Sequence, residues 1–298
     1  MRPIHFLMAM LVPASWGLGL TLGKLGLYEM PPLLLMSFRF AMTAVALVWF
    51  VRMPRGALLK LCGIAVLGCT LQYGLTFTGM KSLDVATTTL IIHLEVPFGV
   101  IAAALLLKER IGWRRAIGIS VAFGGMIVMY GAPSVQQNPV PALMVVGGAL
   151  TWAIGQVLIK SVGNLGGFVT IAWLAMFAAP QLFVASLLVE SGQWEAIAQA
   201  SWKAWGVVVY MGLIMTAGGY AIWYHLLGIY RVNQVMPFLL LIPLASILSA
   251  MLILAEIPSE IVIVGGAIIM IGVAFIVIEP GAWRRRAPAP IEEKAATR

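Results

Sequence analysis

Apolar runs of about twenty residues alternate along the chain with short breaks rich in charge, proline or glycine. A helix of that length rises about 30 Å, the hydrocarbon thickness of a bilayer. Ten such runs are read, near residues 4–23, 32–51, 57–79, 84–107, 112–131, 141–161, 166–189, 203–226, 232–254 and 260–279. Repeated breaks such as Met53-Pro54-Arg55, Lys108-Glu109-Arg110 and Pro133 to Pro141 separate them. Ten spans absorb about 200 residues, which leaves roughly nine per connection and no room for an extramembrane domain. The first run follows a single Arg2 and carries no small-x-small cleavage site, so it is expected to be the first span rather than a removed signal peptide.

Composition agrees with the pattern. Of 298 residues, 61% are hydrophobic and 10% charged, which excludes an ordinary soluble enzyme. The formal net charge of +8 raises nucleic acid as a partner until the charges are placed. An even number of spans puts both termini on one side. With that side cytoplasmic, 15 of the 19 basic residues fall inside, among them Arg52, Arg55, Lys108, Arg114, Arg115, Lys160, Arg231 and Arg284-Arg285-Arg286. Lys24, Lys81 and Lys203 remain outside, with Glu29, Asp84, Glu190, Glu195, Glu256 and Glu260. The excess is a positive-inside topology signal, and no nucleic-acid partner is expected.

The chain repeats itself. Ser15-Trp16-x-x-Gly19 and Lys24 match Thr151-Trp152-x-x-Gly155 and Lys160 at an offset of 136. Pro97, Gly99 and Ala103 match Pro243, Ala245 and Ser249 at 146, while Tyr73, Glu109, Gly118 and Gly125 match Tyr220, Glu256, Gly265 and Gly272 at 147. Five spans per half is an odd number, so the halves are expected to lie in opposite orientations. The expected fold is an all-α integral membrane protein of ten transmembrane helices, arranged as two inverted five-helix repeats, 1–135 and 136–280, with a basic Pro/Ala-containing cytoplasmic tail at 281–298. Inverted repeats are the architecture of secondary transporters.

Polar groups inside the spans are costly and mark candidate sites. Arg39 and Glu95 are the two fully charged side chains well inside them, about 11 Å and about 17 Å from the outer ends. They suit either a buried ion pair that fixes helix register or a transport role. Glu95 near the midplane is a candidate for exchanging a proton or pairing with a substrate ammonium. His93, two residues away, points to nearly the opposite side of a regular helix, so both face one cavity only if the helix is irregular. Pro97 supplies that irregularity by opposing the carbonyl of His93, and Pro243 does the same to Leu239 in the second half. Paired interrupted helices point to a transporter binding site. Trp16 and Trp152 occupy equivalent places in the repeat, and with Gln72, Tyr73, Gln156, Tyr220 and Tyr224 they are candidates for an amphipathic cavity wall. Helix packing is the competing reading for each. Trp49, Trp113, Trp194, Trp202, Trp205 and Trp283 fall near span ends, where tryptophan collects at membrane interfaces. Small-xxx-small pairs, Gly99 with Ala103, Ala245 with Ser249 and Gly19 with Gly23, suit close helix approach.

No cofactor is expected. Cys62 and Cys69, seven residues apart in one helix, are about 10.5 Å from each other along it and too far for a disulfide. The histidines are His5, His93 and His225, and no metal-ligand spacing joins them. Gly124-Gly125, Gly147-Gly148 and Gly265-Gly266 lack a P-loop Lys-Ser/Thr.

Trp16-Gly17 with Lys24-x-Gly26-Leu27, Met30-Pro31-Pro32 and Arg39-Phe40 resembles the start of proteins in the EamA branch of the drug/metabolite transporter superfamily. Leu105 to Ile111 with Gly118 and Gly124-Gly125 is similar to the end of a first EamA unit, and Tyr220-x-x-Trp223, Leu226-Leu227-Gly228, Pro243, Glu256, Gly265 and Gly272 to the second. Within the superfamily, Met-Pro-Pro and Tyr-x-x-Trp-x-x-Leu-Leu-Gly look most like exporters of the O-acetylserine/cysteine kind. The resemblance implies a bacterial inner-membrane carrier, not an enzyme, that exports small amino acids or related metabolites. It departs at His93-Leu94-Glu95, where the family more often has small uncharged or amide residues. Expected partners are a zwitterionic small molecule, membrane lipids and protons. The alternatives are export of drug-like or lipophilic cationic metabolites, and a non-transporting membrane scaffold.

Overall fold

The computed structural model describes residues 1–163 and 165–278, without the side chains of Ser134, Val232 and Asn233. The tail at 281–298, including Arg284-Arg285-Arg286 and Trp283, lies outside the described residues. The protein is all-helical, with no strand among the described residues. Among the described residues nine helices are long and apolar enough to cross a membrane: α1 (Pro3–Gly26), α2 (Pro32–Phe50), α3 (Leu58–Met80), α4 (Val85–Leu107), α6 (Val140–Val162), α7 (Gly167–Val189), α8 (Trp202–Ile229), α9 (Met236–Leu254) and α10 (Glu260–Val277). Between α4 and α6 lies α5 (Trp113–Met129), 17 residues long and therefore about 25 Å. Its partner α10 is nearly as short, 18 residues.

Polar side chains set several helix ends. Asp84 caps α4, its carboxylate accepting from the Thr87 N–H at 2.6 Å and the Thr87 hydroxyl at 2.7 Å. Glu190, after α7, accepts from the first free amides of α2, Leu33 at 2.8 Å and Leu34 at 3.2 Å, where negative charge also suits the helix dipole. Helices α4 and α9 end alike, on left-handed residues Lys108 (φ 56°) and Ala255 (φ 55°). In each case the next amide, of Glu109 or Glu256, reaches back to the carbonyl of Ala103 or Ala250, which the left-handed residue's own amide also meets.

Irregular segments also occur in corresponding places. Helix α3 contains a π-helical stretch at Val66–Leu71 and α8 one at Tyr210–Gly218. In α4 the α-helix stops at Ile92, turns through His93-Leu94 and resumes at Glu95. In α9 a 3-10 segment, Met236–Leu241, precedes regular helix from Ile242. Such segments frequently mark functional sites.

Packing pairs α2 with α7 and α5 with α10, while α1 lies against α8 and α9 and α6 against α3 and α4. Small residues permit the closest approaches. A Cβ added to Gly118 would lie 2.7 Å from the Gly272 carbonyl oxygen, and one on Gly17 would lie 2.7 Å from the Ser246 nitrogen and 2.8 Å from the Ile242 oxygen. Gly19 and Gly23 pack within the chain on Met215 and Phe77. Gly99 is different: nothing lies within 4 Å of an added Cβ, so the small-residue pair in α4 makes no close approach here, whereas Ala245 in α9 does.

Candidate functional site

The four irregular segments converge. Between them lies a cavity of about 100 Å³, walled by Trp16 and Leu20 of α1, Arg39 of α2, Gln72, Tyr73, Thr76 and Phe77 of α3, and Ile92, His93 and Glu95 of α4. Trp152 of α6, Met215 and Tyr220 of α8 and Ile242 of α9 complete it. Larger surface hollows occur elsewhere, including one of about 430 Å³ beside Glu29 and Lys81. Another, of about 520 Å³, lies on the outer side of α3 and α7, between Val66, Thr70 and Phe177.

The turn at His93-Leu94 brings together two residues that a regular helix would separate. With the helix interrupted, His93 and Glu95 border the same cavity. The strain that Pro97 and Pro243 were expected to create is relieved locally. The His93 carbonyl accepts from the Val96 amide at 3.2 Å, and the Leu239 carbonyl accepts from the Ile242 amide. The imidazole is anchored by its Nδ1 at 2.8 Å from the Thr89 carbonyl oxygen, with the Leu239 carbonyl also beside the ring.

Arg39 is 1% exposed. Its Nη2 and Nε donate to the Thr216 hydroxyl at 3.1 Å and 3.3 Å, and Nη2 also reaches the Tyr73 hydroxyl at 3.4 Å. The guanidinium carbon lies 4.4 Å from the centre of the Tyr73 ring, a cation–π contact away from water. Arg39 and Glu95 form no ion pair; the salt bridge among the described residues is Lys160 with Glu109. A register-fixing pair between them is therefore absent, and the Arg39 guanidinium and the Glu95 carboxyl border the cavity without contacting each other.

Trp16 donates its indole N–H to the Met215 carbonyl at 3.0 Å, inside the π segment of α8, and its ring sits 5.1 Å from that of Tyr220. Tyr224 stacks on the far side of Tyr220 at 5.7 Å and stands behind the wall rather than in it. Gln156 is exposed and does not border the cavity. Gln72 Oε1 and Thr76 Oγ1 are buried, border the cavity and have no hydrogen-bond partner. Buried polar atoms are nearly always satisfied, so the two are exceptions beside the cavity, the Thr76 hydroxyl lying against Gly148 of α6. Thr216, Thr76 and Met215 were not anticipated from sequence; none is charged, and only the π segment turns Thr216 toward Arg39.

Comparison with known proteins bears on this arrangement. Residues 4–131 and 140–278 each match the model of the EamA-like transporter family. The chain belongs to that family. It is 27% identical over 288 residues to a probable amino-acid metabolite efflux pump of Escherichia coli, an alignment covering 93% of this chain and 96% of that one. The corresponding Salmonella typhimurium protein is 27% identical over 274 residues, covering 89% and 92%. A probable terminal-alkyne amino-acid exporter of Streptantibioticus cattleyicolor is 28% identical over 243 residues, 80% of each chain. A crystal structure of a protein with 20% identity superposes with a TM-score of 0.60 over 93% of this chain and 98% of that one, a likeness of fold. Family and relatives make this EamA chain a multi-pass membrane transporter rather than an enzyme.

Proposed function

We propose that this EamA protein is a secondary carrier that exports small amino acids or related metabolites by alternating access, with the central cavity as its binding site. The observation that carries the reading is the cavity itself: unsatisfied Gln72 and Thr76 oxygens, Glu95 and Arg39 on separate walls, and aromatic faces, all at paired helix interruptions. A zwitterion suits such a wall. Its ammonium pairs with Glu95, its carboxylate lies in the field of Arg39, and its side chain packs on Trp16, Tyr73 and Trp152. Glu95 also serves as the site of a proton exchanged as access alternates, with His93 beside it.

In this reading α5 is the tenth span, residues 1–135 and 136–280 are inverted repeats, and both termini lie in the cytoplasm of a bacterial inner membrane. Support comes from the matched π segments, broken helices and left-handed helix ends, and from the distribution of positive charge. The cargo class rests on the relatives' names and on the paired charges. Aromatic faces beside a carboxylate also suit a lipophilic cation, the second reading.

Metabolite profiling of the medium from cells with and without the protein tests the proposal. Accumulation of an amino acid or close derivative that disappears with Glu95→Gln is expected. An unchanged medium, with new resistance to lipophilic cations, would replace the first reading by the second.

A further inference from the structure

The two ends of the bundle carry the same pair of residues in opposite states. At one end Lys24, 6% exposed, donates to the carbonyls of Met80 at 2.7 Å, Lys81 at 3.1 Å and Leu83 at 2.8 Å. Those carbonyls close α3 and begin the turn into α4. Glu256, just past α9, accepts from the Val85 amide at 2.7 Å and lies within electrostatic reach of Lys24. Together they tie α1 and α9 to the α3–α4 turn.

The repeat equates Lys24 with Lys160 and Glu256 with Glu109. At the opposite end, among the described residues, these meet each other, Nζ to Oε1 at 3.3 Å, with the side chains 60% and 47% exposed. The residues at the Lys81 and Leu83 offsets, Gly228 and Tyr230, are not joined to Lys160. Surrounding packing differs in the same sense. Gly23 of α1 packs on Phe77 of α3, and Leu27 lies in one buried cluster with Phe77 and Met80, whereas α6 meets α8 and α9 less than α1 meets α3 and α4. Phe77, Met80 and Leu83 are buried, while their counterparts Tyr224, Leu227 and Tyr230 are half-buried.

We propose that Lys24 with Glu256 and Lys160 with Glu109 are the two latches of one alternating gate, and that the structure holds the first shut and the second open. When the bundle rocks, Lys160 takes the carbonyls at the end of α8 and Glu109 the amides at the start of α9, while Lys24 and Glu256 are released. The four are positioning residues that set which end of the cavity is open. A packed latch on one face and a solvated one on the other is what a two-state element requires, since each latch binds only one state. With the charge-derived orientation, the closed latch faces outward and the cavity faces the cytoplasm, the loading state of an exporter. The inference rests on the carrier reading, but its test needs no cargo.

The experiment follows one cysteine, Met80→Cys, in the full chain with Cys62 and Cys69 changed to alanine. Met80 is fully buried at the end of α3, in one cluster with Leu27 of α1, and its main-chain carbonyl, which the substitution keeps, accepts from Lys24 at 2.7 Å. It becomes accessible only if the Lys24 end opens. A membrane-impermeant maleimide is supplied to reconstituted vesicles, and the labelling rate is read. Lys24→Met should raise the rate about tenfold, the shift expected from losing a charge-assisted set of bonds in one of two states. Lys160→Met, on the exposed end, should lower it, because it weakens the alternative state. If Lys24→Met does not assemble, Glu256→Ala removes the acceptor of the same latch. Opposite shifts support the gate even if no amino acid is transported. Equal shifts, shifts of the same sign, or none would overturn it while leaving the transport reading intact.

Discussion

Replacing Thr216 by valine keeps the shape of the side chain and removes its hydroxyl. That hydroxyl accepts from Arg39 at 3.1 Å and 3.3 Å and donates to the Met211 carbonyl at 2.7 Å, a carbonyl five residues back in the π segment. Hydrogen bonds to charged groups contribute about 1.5–3 kcal/mol each, and ordinary ones about 1 kcal/mol. The two Arg39 contacts share one acceptor and count as roughly one strong bond. The loss is therefore about 3 kcal/mol, since Arg39 is too buried to recruit water instead. At about 2–4 °C per kcal/mol for chains of roughly 200 residues, the melting temperature should fall by about 6–12 °C. Thr216→Ser keeps the oxygen and loses one methyl, about 1 kcal/mol. Thermal unfolding of the purified proteins in one detergent, followed by tryptophan fluorescence, compares them. Equal shifts for valine and serine would refute the claim that the hydroxyl anchors Arg39.

Other substitutions test neighbouring parts of the account. Gly17→Ala drives a methyl against the backbone of α9 and should cost about 1–3 kcal/mol, whereas Gly99→Ala, inside α4 with open space around it, should raise the melting temperature slightly, since alanine gains about 0.5–1 kcal/mol over glycine in a helix. Trp16→Phe keeps an aromatic face but frees the Met215 carbonyl; it should lower stability by about 1 kcal/mol and shift apparent affinity for cargo more than maximal rate in transport assays. Outside the spans, Glu29 accepts from the Ser201 amide at 2.7 Å and hydroxyl at 2.8 Å, and these bonds hold its carboxyl below the usual carboxylate range. Its contribution is present above the ordinary carboxylate pKa and lost as pH falls through the lowered one. Carboxyl-selective NMR should show Ser201→Ala raising the Glu29 titration midpoint; an unchanged midpoint would contradict the assignment.

The spans were legible because a bilayer leaves each helix little choice of length and composition: the runs read near 57–79 and 166–189 correspond to Leu58–Met80 and Gly167–Val189. The interruption near His93 was also legible, since Pro97 marks it. The π segments were not. No proline or glycine pattern signals that five residues rather than four close a turn, so Thr216 stayed invisible until α8 was in place. Gln156 shows a different limit. It lies one turn beyond Trp152 on the same face of α6, but toward the exposed Lys160 end, and it is itself exposed. Leu20, its counterpart in α1, borders the cavity at the covered end.

Counterflow in liposomes reconstituted with the purified chain tests the central claim most directly. Vesicles preloaded with one amino acid and diluted into a trace of labelled amino acid should accumulate label transiently with the wild type, and far less with Glu95→Gln, across a panel of small zwitterions. Label no higher than in empty vesicles for every zwitterion, or Glu95→Gln behaving as the wild type at every pH, would contradict a cavity that carries amino acids on Glu95.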